Sequence, residues 1–165
     1  MRGVADALGI SVGNLTYYFQ KKLDLLEAVR LDIHKSYRPI PAPLDLRGFD
    51  GFFRYVLNYQ AENAYYFLHF TEVGRLLPRI KEMQEEILRD RDAMLLGGFA
   101  NLKAAGLMQE DELEGQTERL VHVVGAVCTY AADWEPQKRL EALWSIIYPH
   151  LTPKGKEAYR KLAEQ

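Results

Sequence analysis

The residues best suited to recognition chemistry stand at the front of the chain, at Val12, Gly13, Asn14, Thr16, Tyr17 and Tyr18, with Lys22 a few positions on. The side-chain amide of Asn14 can pair with an adenine edge through two hydrogen bonds, and Val12 and Thr16 can touch a thymine methyl. The phenols of Tyr17 and Tyr18 can reach sugar or phosphate. Lys22 falls where a new helix begins, so its charge and the free amides around it both attract a phosphate. Together these residues suit the reading of duplex DNA better than the turnover of a substrate. No Ser-His-Asp order, Cys-His pairing, phosphate loop or paired-carboxylate motif accompanies them, which leaves an all-α enzyme using the tyrosines or His69 as the weaker alternative.

Two short helices and a corner must position this set. Val4 and Leu8 share a helical face, and Ala5 is small enough for a second helix to cross closely. Gly9 supplies a left-handed turn, Ile10 plugs the corner, Ser11 caps the next helix and Leu15 points back into the core. This is the pattern of a helix-turn-helix, whose second helix enters the major groove with its N-terminal residues at the base edges. A helical corner with no nucleic-acid role has the same Gly-Ile-Ser turn; the continuation through Phe19 and Lys22 is what favours DNA. Charge agrees with that reading. Residues 1–38 carry six Lys+Arg and four Asp+Glu, against fifteen and nineteen in the remainder, so only the head is net positive, as a phosphate-facing surface needs.

The run Gly9-Ile10-Ser11-Val12-Gly13-Asn14-Leu15-Thr16-Tyr17-Tyr18-Phe19-Gln20-Lys21-Lys22-Leu23-Asp24-Leu25-Leu26 resembles the signature of the TetR/AcrR family of one-component transcriptional regulators. The resemblance covers residues 1–38 by motif and the rest by helix count and order. It implies operator contacts at Val12, Gly13, Asn14, Thr16, Tyr17, Tyr18 and Lys22, and a small effector bound among the helices of the body. Thr16 departs from the pattern, since many members have tyrosine there, which puts one phosphate contact in doubt. In the resembled family a whole first helix and the early part of the second precede the position of Met1, so the chain is expected to begin inside the DNA-binding domain. A start codon placed too far downstream is the favoured explanation over a truncation or a natural loss. At this length the chain is expected to bind operator DNA poorly and an upstream-extended version to bind it well. The other reading of the same gap is a DNA-independent small-molecule-binding or interaction dimer that has lost operator binding.

The whole composition narrows the field further. With 48% hydrophobic and 27% charged residues in 165, and 21 Lys+Arg against 23 Asp+Glu, the chain has the apolar material for a core and no global charge bias. That excludes collagen-like, mucin-like and disordered classes and disfavours a nonspecific polybasic binder. The longest uncharged stretches, residues 7–20 and 120–132, are shorter than the ~18–20 residues that cross a bilayer, so no membrane partner is expected. Cys128 is the single cysteine and no signal-peptide pattern opens the sequence; together these point to a reducing, cytoplasmic setting.

Proline and glycine divide the rest into helical stretches with almost no strand signal, giving an all-α fold. Pro39, Pro41 and Pro43 form an elbow that separates a partial helix-turn-helix domain with its connecting helix, residues 1–38, from an effector-binding and dimerisation domain, residues 39–165. Residues 49–70 read as one dense helical block, followed by a shorter piece that stops at Pro78. A long helix over residues 79–105 ends at Gly106, whose missing Cβ suits a C-terminal cap. Helices carrying residues 120–134 and 136–151 follow, and Thr152-Pro153 opens a last short one.

Nine of the nineteen aromatics lie in residues 49–70 and surround more than half of that helix, so it must be buried on several sides. Tyrosine hydroxyls in an apolar wall suit a pocket for a largely apolar effector, lined by Tyr55, Tyr59, Tyr66 and Phe70 together with Met83, Ile87, Arg91 and Met94 of the long helix. Each aromatic taken singly is equally at home in a plain core. Asp90 and Arg91 interrupt the apolar stripe, either as a charge facing a cavity or as a solvated edge with a local ion pair. His69 and His122 have no partners at metal-ligand spacing, so neither metal nor cofactor is expected. Val123, Val124, Val127 and Tyr130, with Leu143, Trp144 and Ile147, are expected to pair with their copies across a two-fold homodimer interface; intrachain packing is the alternative. A symmetric dimer sets its two reading helices about 34–36 Å apart. An effector favouring another spacing would then release the DNA as a population shift, with repression as the expected direction.

Overall fold

Local capping chemistry sets most helix boundaries in the computed structural model, which describes residues 1–164. The helices in chain order are α1 (Arg2–Leu8), α2 (Val12–Tyr18), α3 (Lys22–His34), α4 (Leu46–Glu62), α5 (Ala64–Leu68), α6 (Phe70–Leu76), α7 (Pro78–Ala104), α8 (Gln116–Tyr130), α9 (Pro136–Ile147) and α10 (Pro153–Ala163). The fold is all-α, and one isolated bridge pairs Met108 with Leu151. Side-chain oxygens of Ser11, Asp45 and Thr152 accept from the amides of Asn14, Gly48 and Gly155 at 2.8–3.1 Å, opening α2, α4 and α10. Gly106 takes a left-handed φ of 69°, and Leu107 then returns its amide to the Leu102 carbonyl at 2.8 Å, closing α7.

The aromatic block of residues 49–70 is three helices rather than one. Asn63 ends α4 because its Nδ2 donates to the Tyr59 carbonyl at 2.9 Å and its amide also turns back to Tyr59, so the side chain competes with the next helical turn. A second break falls at His69, where φ and ψ leave the helical region. Two later boundaries also move. The helix carrying Leu120 stops at Tyr130 rather than Trp134, with the Cys128 carbonyl in its last turn taken by side chains. Its successor stops at Ile147, and Tyr148–His150 form a 3₁₀ turn at Pro149, which has no amide to continue the α pattern.

The chain divides into two compact units. The first comprises residues 1–38 and 71–86, and the second comprises residues 39–70 and the chain from residue 87 onward. Residues 71–86, which lie beyond the proline elbow in sequence, thus cluster with the first unit. Within the first unit α6 passes close to α7, because Gly74 has no Cβ to strike the Gln84 side chain. His34 at the end of α3 bonds Glu86 of α7 at 3.1 Å.

The core of the second unit joins Phe49, Phe53 and Leu57 of α4 to Leu95, Phe99 and Leu102 of α7. Val121 and Val124 of α8 and Leu143 and Ile147 of α9 complete it, all essentially without exposure. Two side-chain hydrogen bonds knit its edges: Trp144 Nε1 donates to Asp50 Oδ1 at 3.0 Å, and Asn101 Nδ2 donates to the Pro43 carbonyl at 3.0 Å.

Candidate functional site

The corner at the front of the chain is built from small and capping residues. Ala5 is fully buried where α1 meets α2. Gly9 then adopts φ 65°, and its amide and that of Ile10 return to the Asp6 and Ala5 carbonyls, which ends α1 in a tight turn. Ser11 caps α2, and Leu15 is buried, fixing the rotation of α2 so that the opposite face is open. Phe19 is half-buried, whereas Val4 and Leu8 face outward. Ile10 is also partly exposed and plugs the corner incompletely.

All seven sequence-predicted nucleic-acid residues fall on α2 and the first position of α3. Gly13 and Asn14 are exposed in the first turn of α2; Tyr17 and Tyr18 are 81% and 70% exposed, with rings crossed at 90° and centroids 5.1 Å apart. Val12 and Thr16 are half-buried. The Thr16 hydroxyl donates to the carbonyls of Val12 and Gly13 at 2.9 and 3.2 Å, so its methyl rather than its proton is left for recognition. Lys22 is exposed at the start of α3, where Asp24 Oδ2 already accepts the Lys21 amide at 2.8 Å. An anion there meets the Lys22 charge with one backbone donor taken.

In the second unit, rings from four helices form a chain. Tyr55 stacks on Tyr59, Tyr59 meets the edge of Phe67, Phe67 stacks on Phe70, and Phe70 meets the edge of Tyr130. Tyr66 is buried against both Phe67 and Phe70. Tyr55, Tyr59, Tyr66 and Phe70 are thus brought together, joined by Phe67, which sequence reasoning passed over, and by Tyr130, which it assigned elsewhere. The long-helix residues do not all join them. Met83 belongs to the other unit, Met94 is buried in the main core, and Ile87 is half-buried.

Arg91 is tied into the fold. Its guanidinium pairs with Asp92 at 2.6 Å and donates to the Gly125 carbonyl at 2.9 Å and to Thr129 Oγ1. Gly125 makes room for it, since a Cβ there would run into the guanidinium. Of the two alternatives for this charge, the local ion pair is the one present, at an α7–α8 crossing rather than a solvated edge.

A second arginine escaped the sequence reading. Arg139 is 2% exposed; its Nη2 donates to Gln60 Oε1 and, at 2.8 Å, to the Cys128 carbonyl, which also accepts Gln60 Nε2 at 2.8 Å. Its Nε is buried without a hydrogen-bond partner. The signal was present: Arg139, Leu143 and Ile147 stand at i, i+4 and i+8, so a charge sits on the core stripe of α9. Burial lowers the guanidinium pKa, with partial compensation from Cys128 and Asp133. The same burial raises the Cys128 thiol to about 11 against the nearby positive charges of Arg91 and Arg139.

The residues expected at a two-fold interface divide. Val124, Leu143, Trp144 and Ile147 are enclosed by the chain's own core and have essentially no surface left for a partner. Val123 and Tyr130 are exposed and Val127 is half-buried, so the outward stripe of α8 is narrower than its apolar composition suggests. Among the described residues no group of three or more His, Cys, Asp and Glu side chains is placed to hold a metal ion, and no helix is long and apolar enough to cross a membrane.

No protein-family model and no curated protein matches the chain. Among solved structures, the chain is similar to a TetR-family transcriptional regulator from Marinobacter aquaeolei VT8. The two share a TM-score of 0.77 and 21% sequence identity over 99% of this chain and 86% of that one. The likeness is one of fold, an all-α fold in both.

Proposed function

We propose that the chain is a one-component, TetR-type transcriptional regulator of the cytoplasm that binds operator DNA as a homodimer and is released from it by a small, largely apolar effector. The observation that carries this reading is the capped corner of α1 and α2, with Leu15 turned inward and Asn14, Tyr17 and Tyr18 turned outward. It stands on a chain whose whole fold is shared with a regulator. Asn14 would read an adenine edge, Val12 and the Thr16 methyl would meet thymine, and Tyr17, Tyr18 and Lys22 would hold the backbone. Val123, Val127 and Tyr130 supply the outward apolar stripe for a second copy. The ring chain from Tyr55 to Tyr130 supplies apolar walls with hydroxyls for an effector. Repression is the default direction, with an effector that prefers one body conformation lowering the population of the DNA-competent dimer.

Selection from a random duplex library tests the reading. Enrichment of a palindrome with half-sites about 10 base pairs apart, bound at least tenfold more weakly by Asn14→Ala, is expected. Recovery of no sequence preference by the natural protein overturns it.

A further inference from the structure

Gly13 stands exposed in the first turn of α2, and nothing within the chain requires a glycine there. Its φ is not positive, unlike that of Gly9, and a Cβ at this position would meet nothing nearer than Ser11 Oγ at 4.0 Å. Gly74, Gly98, Gly125 and Gly155 differ, since a Cβ at each would come within 3.0 Å of a neighbouring atom. Glycine weakens a helix relative to alanine because its unfolded state has more freedom to lose. Position 13 therefore carries a cost that no intrachain contact offsets.

The neighbours of Gly13 are fixed. Val12 and Thr16 stand one helical turn apart on one face of α2, both half-buried, and Gly13 lies beside them, next to Val12 and one turn before Thr16. The Thr16 hydroxyl donates to the Val12 and Gly13 carbonyls at 2.9 and 3.2 Å, which holds the side chain in one rotamer and leaves its methyl free. Two apolar walls thus flank a bare Cα, leaving a notch with the volume of the methyl that alanine would place there. Asn14, the next residue, is exposed beside it. Thr16 is where the chain departs from the regulator signature, and a tyrosine ring there would cover the space that threonine leaves open.

We propose that this notch receives the 5-methyl group of one thymine in each half-site, with the Gly13 Cα as its floor and Val12 and the Thr16 methyl as its walls. This rests on the reading of α2 as the helix that enters the major groove. Among the groups that the four bases display in that groove, the thymine methyl is the apolar one. An apolar recess of methyl size beside an amide suited to adenine matches it in shape and in chemistry. Gly13 is then a specificity determinant: the chain lacks a Cβ there because the base supplies the methyl.

Gel shifts on the duplex that the natural protein selects test the proposal, with each thymine of a half-site replaced in turn by deoxyuridine, which lacks only the methyl. One replacement is expected to weaken binding about fourfold per half-site, the effect of one buried methyl group. Gly13→Ala is expected to raise the melting temperature and to bind the thymine duplex about tenfold more weakly, through overpacking of the notch. Deoxyuridine at the same position should recover most of that loss, because the alanine methyl then takes the place of the missing base methyl. Thr16→Ser keeps the hydroxyl bonds and removes a wall, so it should abolish the thymine preference, whereas Asn14→Ala should weaken binding and retain it. Gly51→Ala, equally open but on α4, should raise the melting temperature and leave DNA binding unmoved. Undiminished binding by Gly13→Ala, a loss that deoxyuridine relieves at no position, or the lack of any thymine whose replacement matters overturns the notch and leaves a regulator that has selected its duplex standing. Failure of the natural protein to select any duplex overturns both.

Discussion

Phe49 of α4 and Phe99 of α7 stack with centroids 5.1 Å apart and planes 15° from parallel, and Gly98 lies directly beside the pair. A Cβ at Gly98 would sit 2.6 Å from Phe49 Cζ and 3.0 Å from Pro43 Cδ. Gly98→Ala gains about 1 kcal/mol of helix propensity but must displace a ring stacked on Phe99 and tilted against Phe53, an overpacking cost of about 1–3 kcal/mol. Net destabilisation is expected in urea unfolding. Gly51, mid-helix in α4 with open space around its Cβ position, is the control, and Gly51→Ala should stabilise by about 0.5–1 kcal/mol.

Ser11 is the sole side-chain cap of α2. Ser11→Ala should cost about 1 kcal/mol of stability, and Ser11→Asp should retain it. If α2 is the reading helix, operator affinity falls with Ser11→Ala even where the protein remains folded, measurable by gel shift beside thermal melts.

Lys22 and Asn14 should separate on salt. Lys22→Ala is expected to weaken all duplexes alike and to reduce the log–log salt slope by about 1, whereas Asn14→Ala should cost about 1–3 kcal/mol on the selected site and leave the slope unchanged. Identical slopes for Lys22→Ala and wild type would remove Lys22 from the phosphate contacts.

Asp111, in the loop between α7 and α8, accepts from Lys103 Nζ at 2.6 Å, from the Thr117 hydroxyl and from the Thr117 amide at 3.1 Å. The lysine foremost, then the threonine, hold its pKa at about 2 instead of 3.8. A depressed carboxylate pKa adds stability that is complete above the unfolded value and disappears as pH falls through the folded one. Between pH 4 and pH 2 the wild type should therefore lose stability that Asp111→Asn does not have to lose, and the melting temperatures of the two should converge across that window.

Cys128 is buried and its thiol is held protonated at neutral pH by desolvation. Labelling by a disulfide reagent at pH 8 should be on the order of 10³-fold slower in the native protein than in urea, because reaction must await opening of the unit. Rapid native labelling would contradict the packing of α8.

The helix-turn-helix and the caps at Ser11, Thr152 and Gly106 were legible because each depends on residues within one turn of one another. The break at Asn63 was not, since asparagine at that position is compatible with a continuing helix until its side chain commits to the Tyr59 carbonyl. Apolar stripes likewise say that a face is covered without saying by what, which is why Leu143 and Ile147 read as interface and proved to be core. Residues 71–86 joined the first unit through tertiary contacts that carry no local signature. Arg139 was legible in principle, as a charge at a stripe position, but its partners, the Gln60 amide and the Cys128 carbonyl, carry no local signature.

The guanidinium of Arg91 occupies the place a side chain at position 125 would need, and it grips the carbonyl beneath. A peg seated in such a notch forbids sliding: to shift the residue-91 stretch of α7 along α8, the cation would have to leave its seat and strand an oxygen. Any displacement begun there must carry both rods together, so they transmit force as a single strut.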